Sequence, residues 1–216
     1  MWTIVVAAGT GSRFGSELPK QFHAVAGRRI VDWATSTAAV HSDGVVVVMP
    51  PSGAFEVPVV TGARVVAVPG GASRSESVRR GLEALPAEAS VVLVHDAARP
   101  VATADLFERV AAAVHDGADG AIPVVPVVDS LRSADGTPVD RSGLVVVQTP
   151  QGFTVEALRQ AHAGGLDASD DATLVTANGG RVVTVPGERW NLKVTDPADE
   201  AIVATLLSAN RPEDRP

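Results

Sequence analysis

Residues 2–15 read Trp-Thr-Ile-Val-Val-Ala-Ala-Gly-Thr-Gly-Ser-Arg-Phe-Gly, an apolar run that breaks into a glycine-rich turn. The near-continuous run Ile4–Ala8 suits a strand buried on both faces, as in a parallel sheet covered by helices. Comparable runs follow at Val45–Met49, Ala63–Val68, Val91–His95, Ala121–Val127, Leu144–Gln148 and Arg181–Val185. Between them lie helical patterns. Ile30, Trp33, Ala34, Thr37 and Ala38 follow the i, i+3, i+4, i+7, i+8 spacing, and Val78, Leu82 and Leu85 keep the same period. Leu106, Val110, Ala113 and Val114 repeat it behind a Thr103 cap, and Asp196-Pro197 opens a last helix through Ile202 and Leu206. This alternation predicts a single α/β domain over 1–216, a Rossmann-like three-layer sandwich with a mostly parallel twisted sheet.

Three stretches depart from the alternation. Pro50–Gly62 has no helical period and is expected to be a bare loop. Pro123 and Pro126 interrupt the fifth run, which is expected to bend or to sit at a sheet edge. Asp129–Gln148 reads as strand, Asp135-Gly136 turn, strand, and such a hairpin cannot bury itself. It is expected to project as a β-arm and to build a homodimer. The segment 209–216 is expected to be a frayed tail.

Composition narrows the function. There are 18 Lys+Arg against 25 Asp+Glu, a net charge of -7, so a dedicated nucleic-acid or anionic-membrane binder is not expected. No cysteine is present, which excludes disulfides, thiolate metal sites and a cysteine nucleophile. The Trp2–Ala8 run is too short to span a bilayer and lacks a basic flank, so a cytoplasmic location is expected. Of the cations, 16 are arginine and only Lys20 and Lys193 are lysine.

The glycines after the first strand let backbone N–H groups approach phosphates. A P-loop would need Gly-Lys-Ser/Thr, and a dinucleotide fingerprint would need glycine where Phe14 stands and an acidic residue after the second strand, which ends Val48-Met49-Pro50. Both patterns are absent. The cations Arg13 and Lys20 beside this turn favour triphosphate binding. Asp96 sits at the carboxyl end of a central run, where α/β sheets place ligands, and a carboxylate there commonly attends a magnesium–phosphate site or a sugar hydroxyl. His95 reads as a packed strand-end histidine.

The loop followed by Pro19-Lys20-Gln21 resembles the start of the 2-C-methyl-D-erythritol 4-phosphate cytidylyltransferases of the non-mevalonate isoprenoid pathway. The resemblance continues through Pro69-Gly70-Gly71 with Arg74 and Ser77, then Val94-His95-Asp96-Ala97-Ala98-Arg99-Pro100 and Asp129-Ser130. Arg141-Ser142-Gly143-Leu144, Gln148-Thr149-Pro150-Gln151, Ser169-Asp170-Asp171-Ala172 and Asn191-Leu192-Lys193-Val194-Thr195 complete it, so nearly the whole chain is covered. Serine replaces the family's usual threonine at 130 and 169, and Ala7-Ala8 follow valine where the family has proline.

The resemblance implies transfer of a cytidylyl group from CTP to the polyol phosphate, with Mg2+ as cofactor. It places Ala7, Ala8, Gly9, Thr10, Gly11, Arg13, Lys20, Gly71, Arg74, Ser77, Asp96 and Ala97 around CTP. It places Asp96, Arg99, Ser130, Arg141, Ser169 and Lys193 around the polyol phosphate, Arg141 from the other subunit. Arg13, Lys20, Arg141 and Lys193 are the implied catalytic cations, and Asp96 the implied metal contact. A ribitol or other pentitol 5-phosphate cytidylyltransferase shares several of these motifs, and a non-catalytic nucleotide-binding domain would keep the pocket without turnover. Phe14 counts against a nicotinamide-dependent oxidoreductase.

Overall fold

A computed structural model describes residues 1–9, 14 and 18–209. Thr10, Gly11 and Arg13, together with residues 210–216 of the expected tail, lie outside the described residues.

The first strand, β1 (Trp2–Val6), is followed by a short β2 (Ala24–Val25), β3 (Arg28–Arg29) and helix α1 (Ile30–Val40). Next come β4 (Gly44–Met49), β5 (Arg64–Pro69), α2 (Arg74–Glu83), β6 (Val91–Asp96) and α3 (Ala104–His115). The second half holds β7 (Gly120–Pro126), β8 (Leu131–Arg132), β9 (Pro138–Val139), β10 (Val145–Val147) and β11 (Gln151–Thr154). Helices α4 (Val155–His162) and α5 (Asp171–Ala177), strand β12 (Val182–Pro186) and helix α6 (Pro197–Ala209) complete it. The main sheet runs β10-β7-β11-β6-β1-β4-β5, with β12 also on β7. Strands β6, β1, β4 and β5 are mutually parallel, as are β12 and β7, whereas β10 and β11 enter antiparallel.

The side-chain alternation of strands sends successive residues to opposite faces. Val5, Val45, Val47 and Leu93 pack with Ala38, Leu106 and Phe107 from α1 and α3. Ile4, Val46, Val48, Val92 and Val94 pack with Val78, Leu82, Leu158 and Leu174 from α2, α4 and α5. The apolar runs are continuous because both faces are covered. A third cluster, Phe14, Val25, Ile30, Val101, Val194, Val203 and Leu207, seats α6 under the segment that carries Lys193. Among the described residues no helix is long and apolar enough to cross a membrane.

The loop expected at Pro50–Gly62 carries no regular element. Thr103 caps α3 by accepting from Leu106 N, and Asp196 Oδ1 accepts from Ala198 N at the start of α6. Two expectations are corrected. Strand β7 is interior, because Gly120 and Ala121 pair both β11 and β12. Pro123 is tolerated there because its carbonyl does the bonding, accepting from Gln148 N at 2.8 Å. Nor is 129–148 one hairpin. Only β8 and β9 pair across the Asp135-Gly136 turn, where Gly136 adopts φ 88°, and β10 leaves to pair β7 in the main sheet.

Gly81 lets α2 lie against β1, since a Cβ there would stand 2.7 Å from Ile4 Cγ2. Alanine ordinarily favours a helix over glycine by about 1 kcal/mol. Here the β-branched, fully buried Ile4 cannot move aside, so Gly81→Val should destabilise the fold by about 1–3 kcal/mol in urea denaturation. An unchanged unfolding midpoint would contradict this packing.

Candidate functional site

The carboxyl ends of β1 and β6 and the amino end of α2 enclose a cleft of about 550 Å3. Its floor is Val6-Ala7-Ala8-Gly9 and its walls carry Gly71, Arg74, Ser77, Asp96, Ala97, Lys20 and Lys193. This is where an open α/β sheet presents ligands.

Gln21, buried in the 3-10 turn Lys20–Phe22, donates through Nε2 to Ala7 O at 2.5 Å and Gly9 O at 2.8 Å. Those bonds fix the path of the chain as it leaves β1. Gly70 is needed where the next loop crosses it, because a Cβ there would lie 2.2 Å from Ala8 Cβ. Behind Gly70, Ser73 caps α2 by accepting from Glu76 N, and Glu76 Oε2 reaches back to accept from Ala72 N, the residue before the cap, at 2.7 Å. Ser77 Oγ accepts from Gly71 N and donates to Ser73 O.

Asp96 ends β6 with its side chain 11% exposed. Its Oδ2 accepts from Lys193 Nζ at 2.6 Å and its Oδ1 from Arg74 Nε at 3.4 Å. Burial alone would raise the Asp96 carboxyl, but the Arg74 and Lys193 charges outweigh that effect and hold it well below the usual carboxylate range. Burial likewise pulls Arg74 down, and Asp171 and Asp96 more than reverse it.

Lys193 is held in place by its neighbours. Gln148 Nε2 donates to Glu188 O at 2.8 Å, Asn191 Nδ2 to Thr149 O at 2.9 Å, and Val194 N to Ala98 O at 2.8 Å. Lys20 Nζ donates to Val194 O at 2.6 Å, which brings the chain's two lysines to the same short segment. The Gln148, His95 and Asn191 motifs therefore fasten to one another around Asp96.

Of the expected site residues, Ala7, Ala8, Gly9, Lys20, Gly71, Arg74, Ser77, Asp96, Ala97 and Lys193 line the cleft together. Arg99 does not. Its guanidinium turns inward to Asn191 O at 2.7 Å and Val147 O at 3.4 Å, and burial lowers its pKa with Asp96 partly offsetting. Ser130, Arg141 and Ser169 are exposed and outside the cleft lining of their own chain. Gln21, Thr149 and Asp171, which lie in the motifs that carry the resemblance, hold Ala7 O, Asp96 N and Arg74 respectively, functions the sequence alone does not reveal.

Residues 1–209 match the family described as IspD: 2-C-methyl-D-erythritol 4-phosphate cytidylyltransferase. The chain is 43% identical over 221 residues to the 2-C-methyl-D-erythritol 4-phosphate cytidylyltransferase of Frankia casuarinae, spanning 98% of this chain and 82% of that protein. It is 42% identical over 232 residues to the bifunctional enzyme IspD/IspF of Solidesulfovibrio magneticus, where it covers 94% of itself and 56% of that relative. The crystal structure of 2-C-methyl-D-erythritol 4-phosphate cytidylyltransferase from Thermus thermophilus superimposes with a TM-score of 0.82 at 37% identity, over 95% of this chain and 98% of that one.

His95 beside the site is fully buried between the Phe107 ring, Thr149 Oγ1 at 3.2 Å and Arg99 O at 3.2 Å. Burial pushes its pKa down to about 4, with Asp96 offsetting part of the effect. The unfolded chain protonates this imidazole near 6.5, whereas the folded chain resists until about 4. The resulting stability is fully present above pH 6.5 and is lost as pH falls toward 4. Between pH 7.5 and 5, in EDTA, wild type should lose about 2 kcal/mol more unfolding free energy than His95→Asn does. Equal losses would contradict a neutral, buried His95.

Proposed function

The chain belongs to the 2-C-methyl-D-erythritol 4-phosphate cytidylyltransferase family, and we infer that its cleft transfers the cytidylyl group of CTP to that polyol phosphate, with release of pyrophosphate. The observation that carries this reading is the convergence of Lys20, Lys193 and Arg74 on one cleft beside a carboxylate that stays ionised. Two polyanions must meet in this reaction. An oxygen of the polyol phosphate bonds to the α-phosphorus, and the bond from that phosphorus to the bridging β-oxygen breaks, its electron pair leaving with pyrophosphate. Negative charge grows on the equatorial oxygens, so the work is positioning and charge stabilisation. The attacking phosphate is already largely ionised near neutral pH, so no general base is required. His95, buried and bonded on both nitrogens, serves packing and not proton transfer.

Lys20 and Lys193 are the cations that neutralise the reacting phosphates, a compact ammonium placing concentrated charge beside one oxygen. Ala7–Gly9 would receive the triphosphate, joined by Thr10, Gly11 and Arg13. The loop from Gly71 to Ser77 would hold the nucleoside. Among the described residues no cluster of three or more metal-ligating side chains occurs, and Asp96 is the carboxylate of the cleft. A lone carboxylate would suit a magnesium ion that Asp96 helps to hold beside the substrate phosphates. When bound, the ion would neutralise phosphate charge.

Homodimer formation is part of the same proposal. Val128, Val139, Leu144, Val145 and Val146 are exposed along the segment expected as an arm, and that apolar surface supports a second copy covering it. The partner subunit's Arg141 would then reach the polyol phosphate, which accounts for its distance from the cleft of its own chain.

The purified chain, given CTP and magnesium, should release pyrophosphate with 2-C-methyl-D-erythritol 4-phosphate and far more slowly with ribitol 5-phosphate. Turnover with ribitol 5-phosphate alone would overturn the substrate assignment, and CTP binding without turnover would overturn the activity. Lys20→Ala should lower kcat by about 100-fold or more while leaving the unfolding midpoint nearly unchanged. Mixing Lys20→Ala with Arg141→Ala subunits should restore about a quarter of the sites if arms act across the dimer. No recovery would place Arg141 in service of its own chain.

A further inference from the structure

The hydrogen-bond chain that begins at Lys193 does not stop at Asp96. Arg74, which touches Asp96 Oδ1 at 3.4 Å, makes its shorter bond through Nη1 to Asp171 Oδ2 at 2.7 Å. The other oxygen of Asp171 accepts from His162 Nε2 at 2.9 Å. Asp171 opens α5 and His162 closes α4, and their side chains are 0% and 2% exposed. Lys193, Asp96, Arg74, Asp171 and His162 thus form one line from the cleft into the protein interior.

His162 is a costly choice at this position. Its Nδ1 is buried and has no partner among the described residues, so the ring's one polar link is the bond to Asp171. A leucine would fill similar space without an orphaned polar atom, and buried polar groups are ordinarily paired. The Asp171 bond is therefore the feature that distinguishes histidine from a packing residue. Arg74 also has two carboxylates to choose from. A guanidinium freed from Asp171 would pair bidentately with Asp96, the stronger arrangement for arginine, and would compete with Lys193 for Oδ2. Holding Asp171 in place keeps Arg74 on it and leaves Asp96 to Lys193.

We propose that His162 is a positioning residue for cytidylyl transfer, its Nε2–H fixing Asp171 so that Arg74 stays anchored and Lys193 stays on Asp96. This inference rests on the reading of the cleft as the transfer site. The test uses the difference in reach between two amides, since the glutamine Nε2 falls near the ring Nε2 and the asparagine Nδ2 stops near the ring Nδ1. In the pyrophosphate-release assay, with folding checked by thermal melting, H162N should lower kcat/KM for the polyol phosphate about tenfold, mainly through KM, while H162Q stays within about threefold of wild type. In a K193A background H162N should add less than about twofold, because its effect passes through Lys193. Where H162N is too unstable to purify, Asp171→Asn removes the charge that draws Arg74 and should show the same tenfold loss and the same non-additivity. A folded H162N or D171N with wild-type kcat/KM, or a full additional loss in K193A, overturns the proposal. A wild-type chain that releases no pyrophosphate overturns the functional reading instead.

Discussion

A carboxylate set at the end of a strand that is buried on both faces must be surrounded by cations or it cannot stay charged. Asp96 is that carboxylate, and the segments around it are arranged to meet the requirement. Lys193 arrives at 2.6 Å from one segment and Arg74 at 3.4 Å from the start of α2. Their charges outweigh the burial penalty. The chain's net charge of -7 describes its whole surface, whereas the cleft around Asp96 gathers Lys20, Arg74 and Lys193.

Several of the short motifs that carry the family resemblance act as fasteners between loops. Gln21 ties the 3-10 turn to the exit of β1, Gln148 ties the chain just after β10 to Glu188, and Asn191 ties back to Thr149. Thr149 Oγ1 accepts from Asp96 N and meets His95 Nδ1, so the two central motifs share one hydroxyl. Ala7 and Gly9, where the chain leaves β1, are held by Gln21 before any ligand arrives, the kind of preorganisation that spares reorganisation at the moment of reaction.

Much of this was legible in the sequence for definite reasons. Val45–Val48 and Val91–Val94 are apolar at every position because helices cover both faces, so β4 and β6 announce themselves. Thr103 and Asp196 mark helix starts through side-chain chemistry that acts locally. Pro123 misled because a missing N–H excludes only half of a ladder position, and in β7 its carbonyl carries the bond. Val145–Val147 were read with the arm because their partner, β7, could not be inferred from local pattern. The two helices left unread, α4 and α5, are 8 and 7 residues long, too short to display a period clearly. Lys20, Asp96 and Lys193 were visible as residue types in the right motifs. The inward turn of Arg99 was not, since it depends on the carbonyls of Asn191 and Val147 from distant segments.

The charge on Asp96 holds Lys193 and Arg74 together, and replacing it is the most direct trial of that dependence. Asp96→Asn keeps the shape, removes the charge and turns one of the two acceptor oxygens that Lys193 and Arg74 use into a donor. Steady-state pyrophosphate release with CTP and 2-C-methyl-D-erythritol 4-phosphate should fall about 100-fold or more in kcat/KM, with the protein still folded by circular dichroism. A folded Asp96→Asn protein with wild-type kcat/KM for both substrates would contradict the central place given to this carboxylate.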